Sequence, residues 1–366
     1  GVIWAGRWDG AGLRRRDVVE GICSTLRLRL PVEAAGGELA LRAGLVQKWL
    51  RARSLFVTLE APQVAQAIGL AEEVRREQPE FGMVLADLGA YYCQTALMGI
   101  APVGEAVGRS EAVLEEARRR APGNADTWLW SARNAVLFRY DWKGAEVMYR
   151  RALELAPGHM LARFFYAGDL LRTLGRQEEA LEQARRGQRA DPLNPLGFLT
   201  VAQIEAARGR FREALEETEK GNRIQPHWTL DWVRGAVLLR LGRLEEAYEV
   251  LREVVGAAPP HCWVEPTYVN ACWATGREEE ARERVDRAED DRMRYPVPAS
   301  TLGLLQAVVG NGERALDWFE TALEERDPAL IFQPRASAGV IVMPEVESLV
   351  YGEERWRALV RAMGLG

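Results

Sequence analysis

Glycine returns along this chain at Gly175, Gly209, Gly242, Gly276 and Gly310, at intervals of 34, 33, 34 and 34 residues. Five residues after each stands an alanine, Ala180, Ala214, Ala247, Ala281 and Ala315, and prolines recur at Pro122, Pro157, Pro192 and Pro226, spaced 35, 35 and 34. Three residue types sharing one period define an internal repeat. A unit this short cannot bury its apolar face alone, so it must stack on copies of itself. The chain is therefore expected to be all-α, a row of helix pairs.

Each recurring residue has a physical task. The glycine suits the left-handed backbone that ends the first helix of a pair, where a side chain would clash. The alanine sits on the second helix where two helices cross closely, and a larger side chain would overpack by roughly 1 to 3 kcal/mol. Gly168, Ala202 and Gly235, seven residues before a loop glycine, are expected to be small for the same reason on the first helix. The proline has no N–H to give to a helix interior and so stops the second helix. At Asp191-Pro192-Leu193-Asn194-Pro195, Asn194 reads as an N-cap followed by proline at the first helical position.

The period places repeats at 126–159, 161–194, 195–227, 228–261, 262–295 and 296–329. Upstream, LVQKWLRARSLF and VAQAIGLAEEVRREQPE read as one more pair ending at Pro79, and LADLGAYYCQTAL with SEAVLEEARRRAP as another. The 43 residues from Pro79 to Pro122 leave about nine extra, expected as a long connection over Met98 to Val107. Downstream, Glu354 to Met363 reads as an amphipathic helix covering the last repeat, as such arrays require. The expected organisation is a lead-in over 1–44, about eight helix pairs over 45–329, and an irregular segment with a capping helix over 330–366. Val2 to Trp4 reads as a short strand, the end of something longer.

The net charge of -5 and pI near 5.6 argue against nucleic acid or anionic membrane as partner, since both reward a basic surface. Cys23, Cys93, Cys262 and Cys272 are too scattered for a disulfide framework or a paired zinc site. No apolar run approaches the length of a membrane span and no signal peptide opens the sequence, which makes the expected location cytoplasmic.

These residues match the tetratricopeptide repeat, and the order of variants is more specific. YDWKGAEVMYRRALELAP, DPLNP, the ALDWFETALEERDP run and the ending ERWRALVRAMGL resemble the C-terminal region of bacterial TolB-like and adenylate/guanylate-cyclase-associated tetratricopeptide proteins. The opening IWAGRWD followed by RRDVVEGICSTLRLRL is similar to the junction preceding the repeats there. The resemblance implies a right-handed α–α superhelix acting as the interaction or sensory part of a signalling protein. It carries over neither cyclase nor DNA-binding activity, because those modules lie outside this sequence. Arg16 stands where Gln is common before Asp17, and Ala336 to Met343 is more apolar than the usual acidic-Pro-Arg-Phe segment.

No phosphate-binding loop, GxSxG, HExxH or paired CxxC occurs, so no catalytic constellation, metal site or cofactor is expected. His159, His227 and His261 fall at nearly one repeat position and read as polar turn residues. Stacked repeats would hold them about 10 Å apart, too far to share a metal. The acidic runs Glu278-Glu279-Glu280 and Glu289-Asp290-Asp291 read as a solvated face with Arg partners three or four residues away. Asp141-Trp142 reads as a packed turn.

In this repeat class the first helix of each pair lines the concave surface. Carried onto this sequence, the inward positions are Trp130, Asn134, Phe138, Phe165, Asp169, Arg172, Leu199, Gln203, Trp232, Arg240, Trp263, Asn270 and Trp273. Large aromatics beside Arg and amides are the mixture favoured at binding hot spots, while rings of this kind also pack between helices. The expected partner is a protein or peptide. The Lys and Asn clamp that holds chaperone C-terminal carboxylates is absent. Small-molecule sensing, with the Met98–Val107 connection as a lid, and self-association into a homo-oligomer stay open as alternatives.

Overall fold

The structure, a computed structural model, describes residues 43–56, 61–258, 263–294, 297–334 and 347–365. The Val2–Trp4 strand, nearly all of the 1–44 lead-in, His261, Cys262 and Ala336 to Met343 lie outside the described residues. Among those described there is no strand, and the fold is an all-α solenoid.

Among the described residues sixteen helices pair into eight hairpins, followed by one last helix. The hairpins are α1 (Ala43–Phe56) with α2 (Ala61–Glu77), α3 (Met83–Leu97) with α4 (Val103–Arg120), α5 (Ala125–Asn134) with α6 (Trp142–Leu155), and α7 (Met160–Phe165) with α8 (Gln177–Ala190). Then come α9 (Pro195–Ala207) with α10 (Phe211–Ile224), α11 (Trp228–Arg240) with α12 (Leu244–Ala257), α13 (Val264–Ala274) with α14 (Glu278–Arg292), and α15 (Ala299–Val308) with α16 (Gly312–Glu324). A 3₁₀ turn at Pro328–Phe332, a π turn at Glu347–Tyr351 and α17 (Glu354–Ala362) complete the chain. Two of the first helices run on as π-helix, α5 into Ala135–Arg139 and α7 into Tyr166–Leu171.

The chain forms two compact units, 1–85 and 86–366. In the first, α1 and α2 close over Ala52, Val64, Ala67, Ala71 and Val74, all with no exposed surface. Trp49 meets Phe81 edge-on at 5.1 Å, and Lys48 bridges Glu73 and Glu77 at 2.9 and 2.7 Å.

In the second unit the repeat residues behave as their chemistry dictates. Gly175, Gly209, Gly242, Gly276 and Gly310 have φ between +72 and +88°, and Ala180, Ala214, Ala247, Ala281 and Ala315 are wholly buried. Asn194 caps α9 by accepting the Leu196 N–H at 3.0 Å, ahead of Pro195. His159 and His227 are caps as well, their Nδ1 atoms accepting from Ala162 at 3.4 Å and Thr229 at 3.3 Å. Asp141 caps α6 through the Gly144 N–H at 2.9 Å.

Two expectations need correcting. A Cβ on Gly235 would lie 2.4 Å from Leu251 Cγ, as the close crossing requires, but one on Gly168 would meet only Thr200 Cγ2 at an ordinary 3.7 Å. Gly168 sits in the π turn Tyr166–Leu171, where the helix departs from the regular geometry that sets the close crossing at Gly235. The connection expected over Met98 to Val107 is also short. Helix α4 already begins at Val103 and runs 18 residues, so the additional length is helix rather than lid.

Packing also sets the direction of curvature inside the second unit. First helices of successive hairpins touch one another, α9 with α11, α11 with α13 and α13 with α15, whereas second helices touch mainly the first helices beside them. Closer spacing along one side bends the stack toward that side. The first helices therefore line the inside of the bend.

Candidate protein-interaction face

The inner side is built around a buried ion pair. Arg133, near the end of α5, donates from Nε to Asp169 Oδ2 at 2.9 Å and from Nη1 to Gln94 Oε1 at 3.0 Å. Its guanidinium lies 4.0 Å from the Phe165 ring centroid and 5.5 Å from that of Trp130, and the two rings are 5.6 Å apart. Three hairpins thus converge on one side chain. Burial is the largest influence and works against the Arg133 charge, but the Asp169 charge and hydrogen bond together with Cys93 and Tyr149 outweigh it, and the pKa is raised. The same burial pushes the Cys93 thiol up to about 11, and that residue is an inert part of the core near neutral pH. Arg172, with Asp169 only partly countering its burial, is lowered to about 10. Asn134 extends the polar core, donating to Ser110 Oγ at 2.8 Å, and Ser110 donates to the Gly89 carbonyl at 2.8 Å.

The inward positions divide by exposure. Trp130, Asn134, Phe138, Asp169, Arg172, Trp232 and Asn270 are buried, whereas Phe165, Leu199, Gln203, Arg240, Trp263 and Trp273 are half-buried. The partly open ones carry most of the recognisable surface chemistry. Trp263 lies 6.2 Å from Trp228 and 6.3 Å from Trp232, so three indoles from two hairpins gather at one place. Trp232 fixes the group by donating its indole N–H to Thr267 Oγ1 at 3.0 Å. Trp228 stacks on His227 at 5.8 Å. Further along, Arg282 lies over Trp273 at 5.1 Å and Arg240 over Phe211 at 5.1 Å.

Sequence reasoning missed Arg133, Gln94 and Ser110. An arginine in an Arg-rich chain carries no mark of burial, and only its position between Trp130 and Phe165 hinted at it. It also missed Trp228, which lies one helical turn before Trp232.

Between hairpins, tyrosines form a second recurring device. Tyr149 stacks on Tyr166 at 5.4 Å and Tyr248 on Tyr268 at 5.7 Å, in each case joining a second helix to the next first helix. Tyr166 donates to Glu146 at 2.9 Å, and Tyr268 donates to Glu280. Glu146 also receives Arg176 at 2.8 Å, which holds its carboxyl down at about 2.

The end of the chain returns to the third and fourth hairpins. Trp142 donates its indole N–H to the Met363 carbonyl at 2.7 Å, Arg326 lies 5.2 Å from the Tyr140 ring, and Arg172 lies 5.5 Å from the Phe332 ring. A neutral hydrogen bond contributes about 1 kcal/mol and each cation–π contact about 0.5–1 kcal/mol.

No helix among the described residues is long and apolar enough to cross a membrane. Nor do the described residues bring three or more His, Cys, Asp or Glu together as a metal site would need.

Residues 134–195 and 198–261 match a family model described as the tetratricopeptide repeat. No curated protein matches in sequence. Among solved structures, yeast Tom70 is 13% identical, with 88% of this chain and 72% of that chain covered at a TM-score of 0.50. A human IFIT1 dimer with m7Gppp-AAAA is 16% identical, covering 84% of this chain and 76% of that one at 0.53. PilF of Pseudomonas aeruginosa is 16% identical over 57% of this chain and 93% of that one, at 0.42. At such identities the likeness is one of fold. Repeat model, periodic residues and stacked hairpins agree: the chain is an all-α solenoid, and its residues 134–195 and 198–261 match the tetratricopeptide repeat.

Proposed function

We propose that this chain is a non-catalytic scaffold that binds a protein or peptide segment along its inner first helices. The carrying observation is the gathering of Trp228, Trp232 and Trp263 on adjacent first helices, with two of the three rings partly open. Rigid aromatics half in solvent give a partner large contact area at little entropic cost. Phe165, Gln203, Arg240 and Trp273 extend this surface. Trp130, Asn134, Phe138, Asp169, Arg172, Trp232 and Asn270 form the layer that holds it in shape.

The resemblance of the repeat variants and of the C-terminal run supports an interaction or sensory role in a bacterial signalling protein, working in the cytoplasm. A metabolite-sensing role loses its motivating feature, because the Met98–Val107 connection is no lid. Wild-type chain and a Phe165→Ala/Trp263→Ala variant of unchanged melting temperature, used as baits with quantitative mass spectrometry, test the scaffold reading. It predicts at least one protein retained by the first and lost by the second. Identical protein profiles would overturn it.

A further inference from the structure

A solenoid needs a cap on its last hairpin, and this one has it. Trp356 meets Phe319 of α16 at 5.1 Å, and Arg355 bridges Glu313, Asp317 and Glu320 at 3.0, 2.6 and 2.7 Å. That covers the exposed end as repeat arrays require. Three further contacts reach much further back. Arg326 lies over Tyr140, Phe332 meets Arg172, and the Met363 carbonyl accepts from Trp142, a pair 221 residues apart. The 3₁₀ turn Pro328–Phe332 also packs on the π turn Ala135–Arg139.

Backbone strain marks the same place. Tyr140 and Arg326 have φ of 54 and 57°, and among the described residues they are the non-glycine residues held in the left-handed region. They face each other. Such conformations persist where surrounding contacts over-determine them, and they gather at clamps and switches.

We propose that the segment Arg326–Pro334 is a self-ligand, an internal occupant of a peptide site formed by Tyr140, Arg172 and the π turn Ala135–Arg139. Its chemistry defines what that site accepts: a short, mostly apolar peptide with one aromatic ring for the Arg172 guanidinium and one cation for the Tyr140 face. Leu330 and Ile331 are wholly buried and Gln333 nearly so, the segment packing on α15 and α16 as well as on the π turn, with Asp327 accepting from the Ser300 N–H at 2.8 Å. A partner bearing such a peptide must first displace this segment, so the chain holds its own site closed. The inference rests on the scaffold reading only in supposing an external partner. The site and its occupant are testable without one.

The test uses the full chain, a labelled synthetic peptide with the sequence of residues 326–334, and hydrogen exchange. Arg326→Gly/Phe332→Ala weakens the docked segment while leaving the receiving hairpins whole, and glycine keeps the left-handed turn. Phe332→Leu alone, which keeps an apolar side chain but removes the ring facing Arg172, stands in if the double variant fails to fold. The peptide should bind the variants at least about tenfold more tightly than wild type, as the loss of contacts of this size implies. Amides of 135–142 should exchange faster while those of 354–362 stay protected. The same peptide with Phe332 replaced by alanine should bind neither chain.

Equal or absent peptide binding in variants whose 135–142 amides have become faster would overturn the proposal. Unchanged exchange at 135–142 would do so too. If the peptide result fails while partner capture still depends on Phe165 and Trp263, only the self-ligand falls and the scaffold reading stands.

Discussion

The hairpins α5/α6 and α7/α8 differ from α9/α10 and α11/α12 although all four follow one repeat. In the latter pair the first helices are regular, their inner faces packed with Val201, Ala202, Ile204, Val233, Val237 and Leu238, and each ends at a left-handed glycine. In the former pair both first helices pass into π turns, a buried Arg133–Asp169 pair replaces part of the apolar packing, and Tyr140 takes the left-handed position that glycine fills elsewhere. Local rules are broken together in one place, which is where function or strain is expected in an otherwise consistent fold. Regular hairpins serve the stacking. The irregular ones hold the polar core and receive the chain's end.

The sharpest way to break this contrast is at Asp169. Asp169→Ala strands a buried guanidinium and should cost about 3–5 kcal/mol, read as a loss of stability in urea. Replacing Arg133 and Asp169 together by apolar residues should cost much less, and a double-mutant cycle measures the coupling. No counterpart exists in α11/α12, where the sensitive point is steric. Gly235→Ala should cost roughly 1–3 kcal/mol, because the new methyl meets Leu251. Gly168→Ala, whose new methyl would meet only Thr200 Cγ2 at an ordinary 3.7 Å, should be neutral or gain up to about 1 kcal/mol. If the two glycine variants melted alike, the distinction between regular and π-turn hairpins would fail.

A smaller effect is expected at Trp142. Trp142→Phe should cost about 1 kcal/mol, with faster amide exchange near Tyr140 and no change around α11. The smallest depends on pH. The Glu146 carboxyl is depressed to about 2, chiefly by its hydrogen bond from Arg176, against a usual value of 4.5. Its contribution is therefore full above about pH 4.5 and fades as pH falls toward 2, since protonation then favours the unfolded chain. Because its partners Arg150 and Arg176 stay partly open to solvent, which screens the pairs, the effect is modest. Glu146→Gln should flatten the pH dependence of melting between pH 5 and 2 by about one carboxyl's worth of linkage.

What could be read from the residues alone follows from where the information lies. Loop glycines and crossing alanines recur with the period, and the structure gives them the conformations their chemistry demands. Gly168 carried the same mark, but two π turns had changed the spacing that made the mark meaningful. Arg133 was invisible because its role comes from Gln94, Phe165 and Asp169, residues on neighbouring hairpins with no shared register. Asp141-Trp142 read as a packed turn and Glu354 to Met363 as a capping helix, but the tie between Trp142 and Met363 was equally silent. A contact across 221 residues belongs to no period and leaves no local trace. The histidines lay between these extremes: their turn position was legible, and their capping of α7 and α11 needed the backbone in view.

The hydrogen bond from Trp142 to Met363 also alters how this array should come apart. A linear stack couples each unit only to its neighbours, so it can fray from an end one hairpin at a time. Tying the tail to the third hairpin turns the intervening chain into a closed loop, whose closure entropy grows only with the logarithm of its length. The last hairpins then cannot peel away until that tie has parted. Pulled or heated, the segment from Tyr140 to Met363 should yield in one step where an open row of repeats would yield in several.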